Sequence, residues 1–304
     1  RLLDRGAESI ADSARSIDAF TRIGRRLISR PVGESAPLLA PSTPINRTIG
    51  AERRYAVLRV SLADVKAIGK AHGCSVNDVF LTMCGGALRA YLSRAGALPD
   101  ASLLAGVPVS VRRAGDRTMN TQVTMMRVTL GTQIADPVAR LIAIHASAVD
   151  AKELAQHLNA MLPTNPRLIG APWLGRTAAR LWELSSAANY VPPLINVVVS
   201  NVPGPRTIRY SNGARMLTHF PVSIPAHGAG VNITVQSYAE HFDIGITACA
   251  ATMPDLASFR DDLLRAYIDL RARVLKRTFD VRTLHPAAPQ TIERRCLQRE
   301  LLVA

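Results

Sequence analysis

The stretch Ser75–Leu92, SVNDVFLTMCGGALRAYL, constrains the fold more than any other part of the chain. Ser75 is a strong N-cap, because its hydroxyl can accept from a free N–H of the first helical turn. Asp78, three positions on, completes the Ser-x-x-acid form of a capping box and suits the positive end of the helix dipole. The helix that follows is almost wholly apolar. Capping accounts for Ser75 and Asp78 as structure, but not for Asn77 or for Gly85-Gly86. Each mid-helix Gly costs roughly 1 kcal/mol relative to Ala. The pair therefore implies that another backbone, or a ligand, approaches closely.

At 304 residues the chain can be one large domain or two ordinary ones, and 48% apolar residues support a substantial core. A net charge of +14 implies an anionic partner: nucleic acid, an anionic membrane surface or a phosphate-bearing small molecule. Aromatics at 5% argue against base-stacking surfaces, so no nucleic-acid partner is expected. Cys74, Cys84, Cys249 and Cys296 are widely separated and form no CxxC pair. Cys84 and Cys249 sit among apolar neighbours and read as core, so the expected setting is reduced and cytoplasmic. No apolar run reaches the length of a membrane span, and no signal-peptide pattern is visible. The chain begins at Arg1 inside a helical pattern, and the expectation is a piece of a longer protein.

Residues 1–30 carry apolar side chains at helical spacing with Arg15, Arg22, Arg25 and Arg26 beside them. Such a helix can pack on a partner domain or lie on an anionic membrane. Prolines at 31, 37, 41 and 44 mark an extended linker. Strands are predicted over Arg54–Leu62, Leu103–Val111, Thr121–Leu130, Leu194–Asn201, Arg215–Val222, Gly230–Tyr238 and Phe242–Cys249. The last two should form a hairpin turning at Ala239–His241. The run LINVVVSN is continuously apolar, as a buried strand is, and stops in Val202-Pro203-Gly204-Pro205. Helices are predicted over Ala63–His72, from Asp136-Pro137 to about Asn159, and over Pro254–Lys276, with a less regular helical region at 166–190. The tail from Arg277 is basic and polar.

Chemical signatures are mostly absent: there is no GxSxG, P-loop, GxGxxG, HExxH or metal-ligand spacing, so no metal is expected. His227, in Pro225–Gly230 (PAHGAG), could belong to a loop presenting N–H groups to an oxyanion; without a serine elbow it reads as a glycine loop before a strand. His72 suits a helix C-terminus, and His145 reads as packed or exposed on its helix. Asp243 should pair with a nearby Arg. Two polar ends remain. Asn77 opens the Ser75 helix, and Ser200-Asn201 close the buried strand. A hydroxyl and an amide there can donate to a carbonyl or an oxyanion, or can satisfy the turn that follows. Both readings stand.

Six segments together resemble the bacterial wax ester synthase/acyl-CoA:diacylglycerol acyltransferases, especially the triacylglycerol synthases of actinobacteria. They are Pro44–Tyr55 (PINRTIGAERRY), Val65–Leu81 (VKAIGKAHGCSVNDVFL), Val107–Arg112 (VPVSVR), Val197–Pro205 (VVVSNVPGP), Phe220–Val222 (FPV) and Gly230–Tyr238 (GVNITVQSY). SVNDV combined with SNVPGP is specific; either alone is not. The resemblance implies an α/β chain, one lobe of the two-lobed CoA-dependent acyltransferase (chloramphenicol acetyltransferase-like) fold, with a mixed, mainly antiparallel sheet and packed helices. It divides the chain into an interlobe helix and linker (1–50), the C-terminal lobe (51–276) and a basic tail (277–304).

The family's general base lies in an HHxxxDG motif on its N-terminal lobe, and no such motif occurs here. The resemblance thus leaves no catalytic residue in this chain and predicts an inactive isolated lobe. Asn77, Asp78, Ser200 and Asn201 would line the site, with Ser75, Val79, Gly85, Gly86, Pro203 and Gly204 shaping it. Acyl-CoA would be substrate, with no bound cofactor, and diacylglycerol or a fatty alcohol the acceptor. The implied partners are the missing N-terminal lobe and a peripheral surface, the inner membrane or lipid droplets. The alternative is a non-catalytic lipid- or membrane-binding lobe, or one that completes another protomer.

Overall fold

A computed structural model describes residues 37–110, 112, 119, 123–161 and 186–275. The helical patterns at 1–30 and 166–185 and the tail from Arg277 lie outside the described residues. Six strands form one mixed sheet in the order β1 (Arg53–Ser61), β8 (His241–Cys249), β7 (Val231–Tyr238), β4 (Val197–Val202), β2 (Leu104–Ser110), β3 (Val123–Thr129). The pairs β1–β8, β7–β8 and β2–β3 are antiparallel, while β2–β4 and β4–β7 are parallel. The α/β fold class and the mainly antiparallel sheet are as expected.

The helices are α1 (Leu62–Ala71), α2 (Val76–Arg94), α3 (Pro137–Met161) and α4 (Leu256–Leu275). Strand periodicity decides which side they occupy. Val60, Ala105, Val128, Val199, Ile233 and Ile244 all join the hydrophobic core with α2 and α4 residues such as Leu88 and Leu263. The alternate positions, among them Arg59, Asn232, Thr234 and Asp243, face the other way. β4 has parallel neighbours on both flanks, β2 and β7, which explains why it reads as an unbroken apolar run.

α2 is the central helix. At Gly85 an added Cβ would lie 2.3 Å from the Leu130 carbonyl oxygen. At Gly86 it would meet Arg140 Nη1 of α3 at 2.8 Å and Ala266 Cβ of α4 at 3.0 Å. Backbone approach, one of the two explanations the sequence offers, is realised at Gly85, whereas Gly86 is closed in by side chains of α3 and α4. Tyr91 also packs edge-on against Phe259 of α4, with ring centroids 5.8 Å apart.

One predicted strand fails. Within Arg215–Val222 only Arg215 is strand, as the end of β6 (Ala214–Arg215), which pairs with β5 (Tyr210–Ser211). The rest crosses the outer face of the main sheet irregularly, tethered by side chains. Tyr55 Oη donates to the Pro221 carbonyl at 3.1 Å, and the His219 N–H donates to Asp243 Oδ2 at 2.8 Å. Pro221 has no N–H to enter a ladder, and Leu217 and Val222 are exposed, so the alternation had no inner face to fill. Gly245 admits this crossing, since a Cβ there would fall 1.8 Å from the Pro221 oxygen. The hairpin between β7 and β8 turns as expected, with Ala239 in the left-handed region at φ 51°.

Candidate functional site

β2, β4 and β7 run parallel and therefore finish at one edge of the sheet. α2 begins at that edge: Phe80, in its second turn, stacks edge-on with Phe242 at 5.6 Å, and Phe242 pairs with Ser237 near the end of β7. Asn77 and Ser200-Asn201 thus share one end of the lobe.

The start of α2 is fully engaged. Ser75 Oγ accepts from the Asp78 N–H at 3.2 Å, and Asp78 Oδ2 accepts from the Ser75 N–H at 2.8 Å, completing the expected capping box. The same oxygen lies 2.8 Å from His145 Nδ1 on α3. Asp78 is only 3% exposed, whereas the His145 side chain is 39% exposed. Cys74 joins them, and its thiol pKa is pushed up by burial and then by the Asp78 charge. Val79 is buried beneath this cap, and Asn77 is half-buried with no side-chain hydrogen bond among the described residues.

The end of β4 is the opposite case. Ser200 aligns with Thr234 and Asn201 with Val235 on β7. Val197 and Val199 point into the core, so Asn201 follows them to the helix side, while Ser200 turns to the outer face. Both are half-buried, and neither side chain has a hydrogen-bond partner among the described residues. The Pro203-Gly204 turn is satisfied from elsewhere: the Gly204 N–H donates to Ser237 Oγ at 3.1 Å, and the Ala239 N–H to the Pro205 carbonyl at 3.1 Å. A Cβ at Gly204 would lie 1.9 Å from the Ser237 carbonyl oxygen, so only glycine fits. Turn satisfaction therefore does not occupy Ser200 or Asn201.

Beside Ser200 the outer face carries a short polar chain. Thr234 Oγ1 donates to Asn232 Oδ1 at 2.8 Å and lies 2.9 Å from Ser223 Oγ. Further along, Asp243 is 0% exposed and takes a bidentate contact from Arg59, Nε at 2.6 Å and Nη2 at 2.9 Å. This is the pairing expected for Asp243, and it leaves the carboxylate no role as a base.

The glycine loop at His227 is structural. The Gly228 and Gly230 N–H groups donate to the Arg47 and Ile45 carbonyls, at 3.2 and 2.9 Å, and His227 Nδ1 accepts from the Ile49 N–H at 3.3 Å. They bind the 45–49 segment and are not free for an oxyanion. The contact missing from the sequence reading is Asp78–His145. The partners stand 67 positions apart, and only the Cys74–Asp78 spacing of one helical turn hinted at a cluster.

Residues 3–80 match the wax ester synthase/diacylglycerol acyltransferase catalytic domain, and residues 120–271 match the C-terminal domain of the same proteins. The boundary between these two regions does not divide the structure, because β1 from the first pairs with β8 from the second. A Mycobacterium tuberculosis protein named putative diacylglycerol O-acyltransferase is 40% identical over 218 residues, covering 72% of this chain and 48% of that protein. A Mycobacterium bovis protein of the same name is 34% identical over 263 residues, covering 85% of this chain and 58% of its own length. The solved wax ester synthase/diacylglycerol acyltransferase from Marinobacter aquaeolei VT8 superposes with a TM-score of 0.62 at 31% identity, covering 77% of this chain and 52% of that one. The chain spans about half the length of the curated relatives it matches. With the cap of α2, the β4 end and the sheet order all in place, the chain belongs to the wax ester synthase/diacylglycerol acyltransferase family.

Proposed function

We propose that this chain is the C-terminal lobe of an acyl-CoA-dependent O-acyltransferase that esterifies diacylglycerol or a long-chain alcohol. The observation that carries the reading is the end of β4, where two polar side chains stand without partners among the described residues, at the end of the lobe where α2 begins. Because Ser200 and Asn201 face opposite sides of the sheet, one of them serves the thioester oxygen and the other the wall of the acyl or pantetheine channel. Ser200, beside the Thr234–Ser223 hydroxyls, is the better donor to a developing oxyanion. Asn77 orders the facing loop or the pantetheine arm.

The general base comes from the lobe that this chain lacks. Proton abstraction by a positioned base is worth about 10²–10⁴-fold, and correct placement of the acceptor adds to that. The isolated chain is therefore expected to be inactive. Exposed apolar side chains on the outer side, including Leu38, Leu194, Val222 and Ile224, fit a face that another lobe covers. The surplus of Arg, within a net charge of +14, suits the phosphates of CoA and an anionic lipid surface, and the enzyme would work at the inner membrane or on lipid droplets.

The test is Ser200→Ala and Asn201→Ala in the complete parent, assayed with acyl-CoA and with diacylglycerol and hexadecanol in competition. A drop of about 10²-fold in turnover for at least one variant is expected. Wild-type turnover in both, with folding intact, removes this strand end from the mechanism.

A further inference from the structure

Cys74, Asp78 and His145 come from three places: the turn after α1, the first turn of α2 and the middle of α3. One donor atom of each lies within 4.8 Å of the other two. We propose that these three side chains bind a divalent transition-metal ion, Zn²⁺ by preference, that clamps the α1–α2 turn to α3 beside the start of α2.

The donor set is the first argument. One thiolate, one imidazole and one carboxylate suit Zn²⁺ over Mg²⁺ or Ca²⁺, which favour oxygen alone. Three protein ligands also leave a fourth position for water at this half-exposed cluster. Distance is the second. Zinc bonds of about 2.0–2.3 Å set tetrahedral ligand atoms about 3.3–3.8 Å apart. The three donor atoms, all within 4.8 Å of one another, already stand close to that spacing. Orientation is the third argument. The Ser75 N–H already holds the Asp78 carboxylate at 2.8 Å, a supporting contact of the kind that orients a ligating carboxylate, and His145 Nδ1 already faces the same oxygen at 2.8 Å.

In the metal-free state the Cys74 S–H donates to the His72 carbonyl at 3.4 Å. The ion takes the place of the proton between Nδ1 and the carboxylate. The metal-bound imidazole carries its proton on Nε2, and the Cys74 S–H proton leaves to the buffer. Binding therefore releases a proton for each ion.

The experiment is titration of the chelator-treated chain with Co²⁺, followed by displacement with Zn²⁺. The expected result is a stoichiometric near-ultraviolet thiolate-to-cobalt band and proton release in calorimetry run in two buffers. Cys74→Ser should abolish the band, and His145→Gln should weaken binding by about 100-fold or more, beyond the loss typical of a supporting residue. Cys296→Ser, a change in the tail, should alter neither. Absence of stoichiometric binding overturns the proposal, as does a band that survives Cys74→Ser or disappears in Cys296→Ser. Unfolding curves of the metal-free variants separate lost ligation from lost structure. Should Cys74→Ser fail to fold, His145→Gln alone decides, and wild-type affinity in that variant overturns the site.

Discussion

Asp78 and Ser200 are both polar residues of signature segments at the same end of the lobe, yet the fold uses them in opposite ways. Asp78 is buried, caps α2 and holds His145, so its carboxylate is committed to structure. Ser200 sits at a strand end whose following turn is satisfied by Ser237, and its hydroxyl is unengaged among the described residues. The contrast teaches that membership of a recognisable segment does not distinguish structural from chemical residues. The hydrogen bonds do, because the buried Asp78 carboxylate is spent on protein partners while the half-buried Ser200 hydroxyl is left open to a partner from outside the chain.

That contrast can be broken by measuring stability on one series of variants. Asp243→Ala, which strands the half-buried Arg59 guanidinium and the His219 N–H, should cost the most, about 3 kcal/mol in urea unfolding. Gly204→Ala forces a side chain into the Ser237 carbonyl and should cost about 1–3 kcal/mol, read as a lower thermal midpoint. Ser75→Ala removes half of the capping box, with an expected loss of about 1 kcal/mol in the same assay. Ser200→Ala and Asn201→Ala should stay within about 0.5 kcal/mol of the parent. A Ser200 variant as damaging as Ser75→Ala would place both residues in the structural class and erase the distinction.

Much of the fold was legible before any coordinates. Ser75 and Asp78 announce the α2 cap through local spacing alone, and Asp136 does the same for α3, where its Oδ1 accepts from the Val138 and Ala139 N–H groups at 3.0 and 2.8 Å. LINVVVSN reads as a buried central strand because β4 has neighbours on both edges and side chains packed on its inner face. Arg215–Val222 misled because alternation reports the chance to pair, and its tethers to Tyr55, Arg59 and Asp243 come from residues distant in sequence. The candidate site was legible as residues but not as an arrangement: Ser200 and Asn201 were named, while their opposite orientations depend on which face of the sheet carries the helices.

The sequence by itself determined the caps, the buried strand, the glycine turn after it and the family, since each rests on spacing within a few residues or on a string of short segments. Only the tertiary structure decided what those features touch. It showed that Gly85 makes room for the Leu130 carbonyl, that Asp243 belongs to Arg59, and that Asp78 reaches 67 positions to His145. The physical reason is the same each time. Local geometry follows from backbone preferences and short-range hydrogen bonds, whereas long-range partners are chosen by packing of the whole chain, which no local pattern encodes.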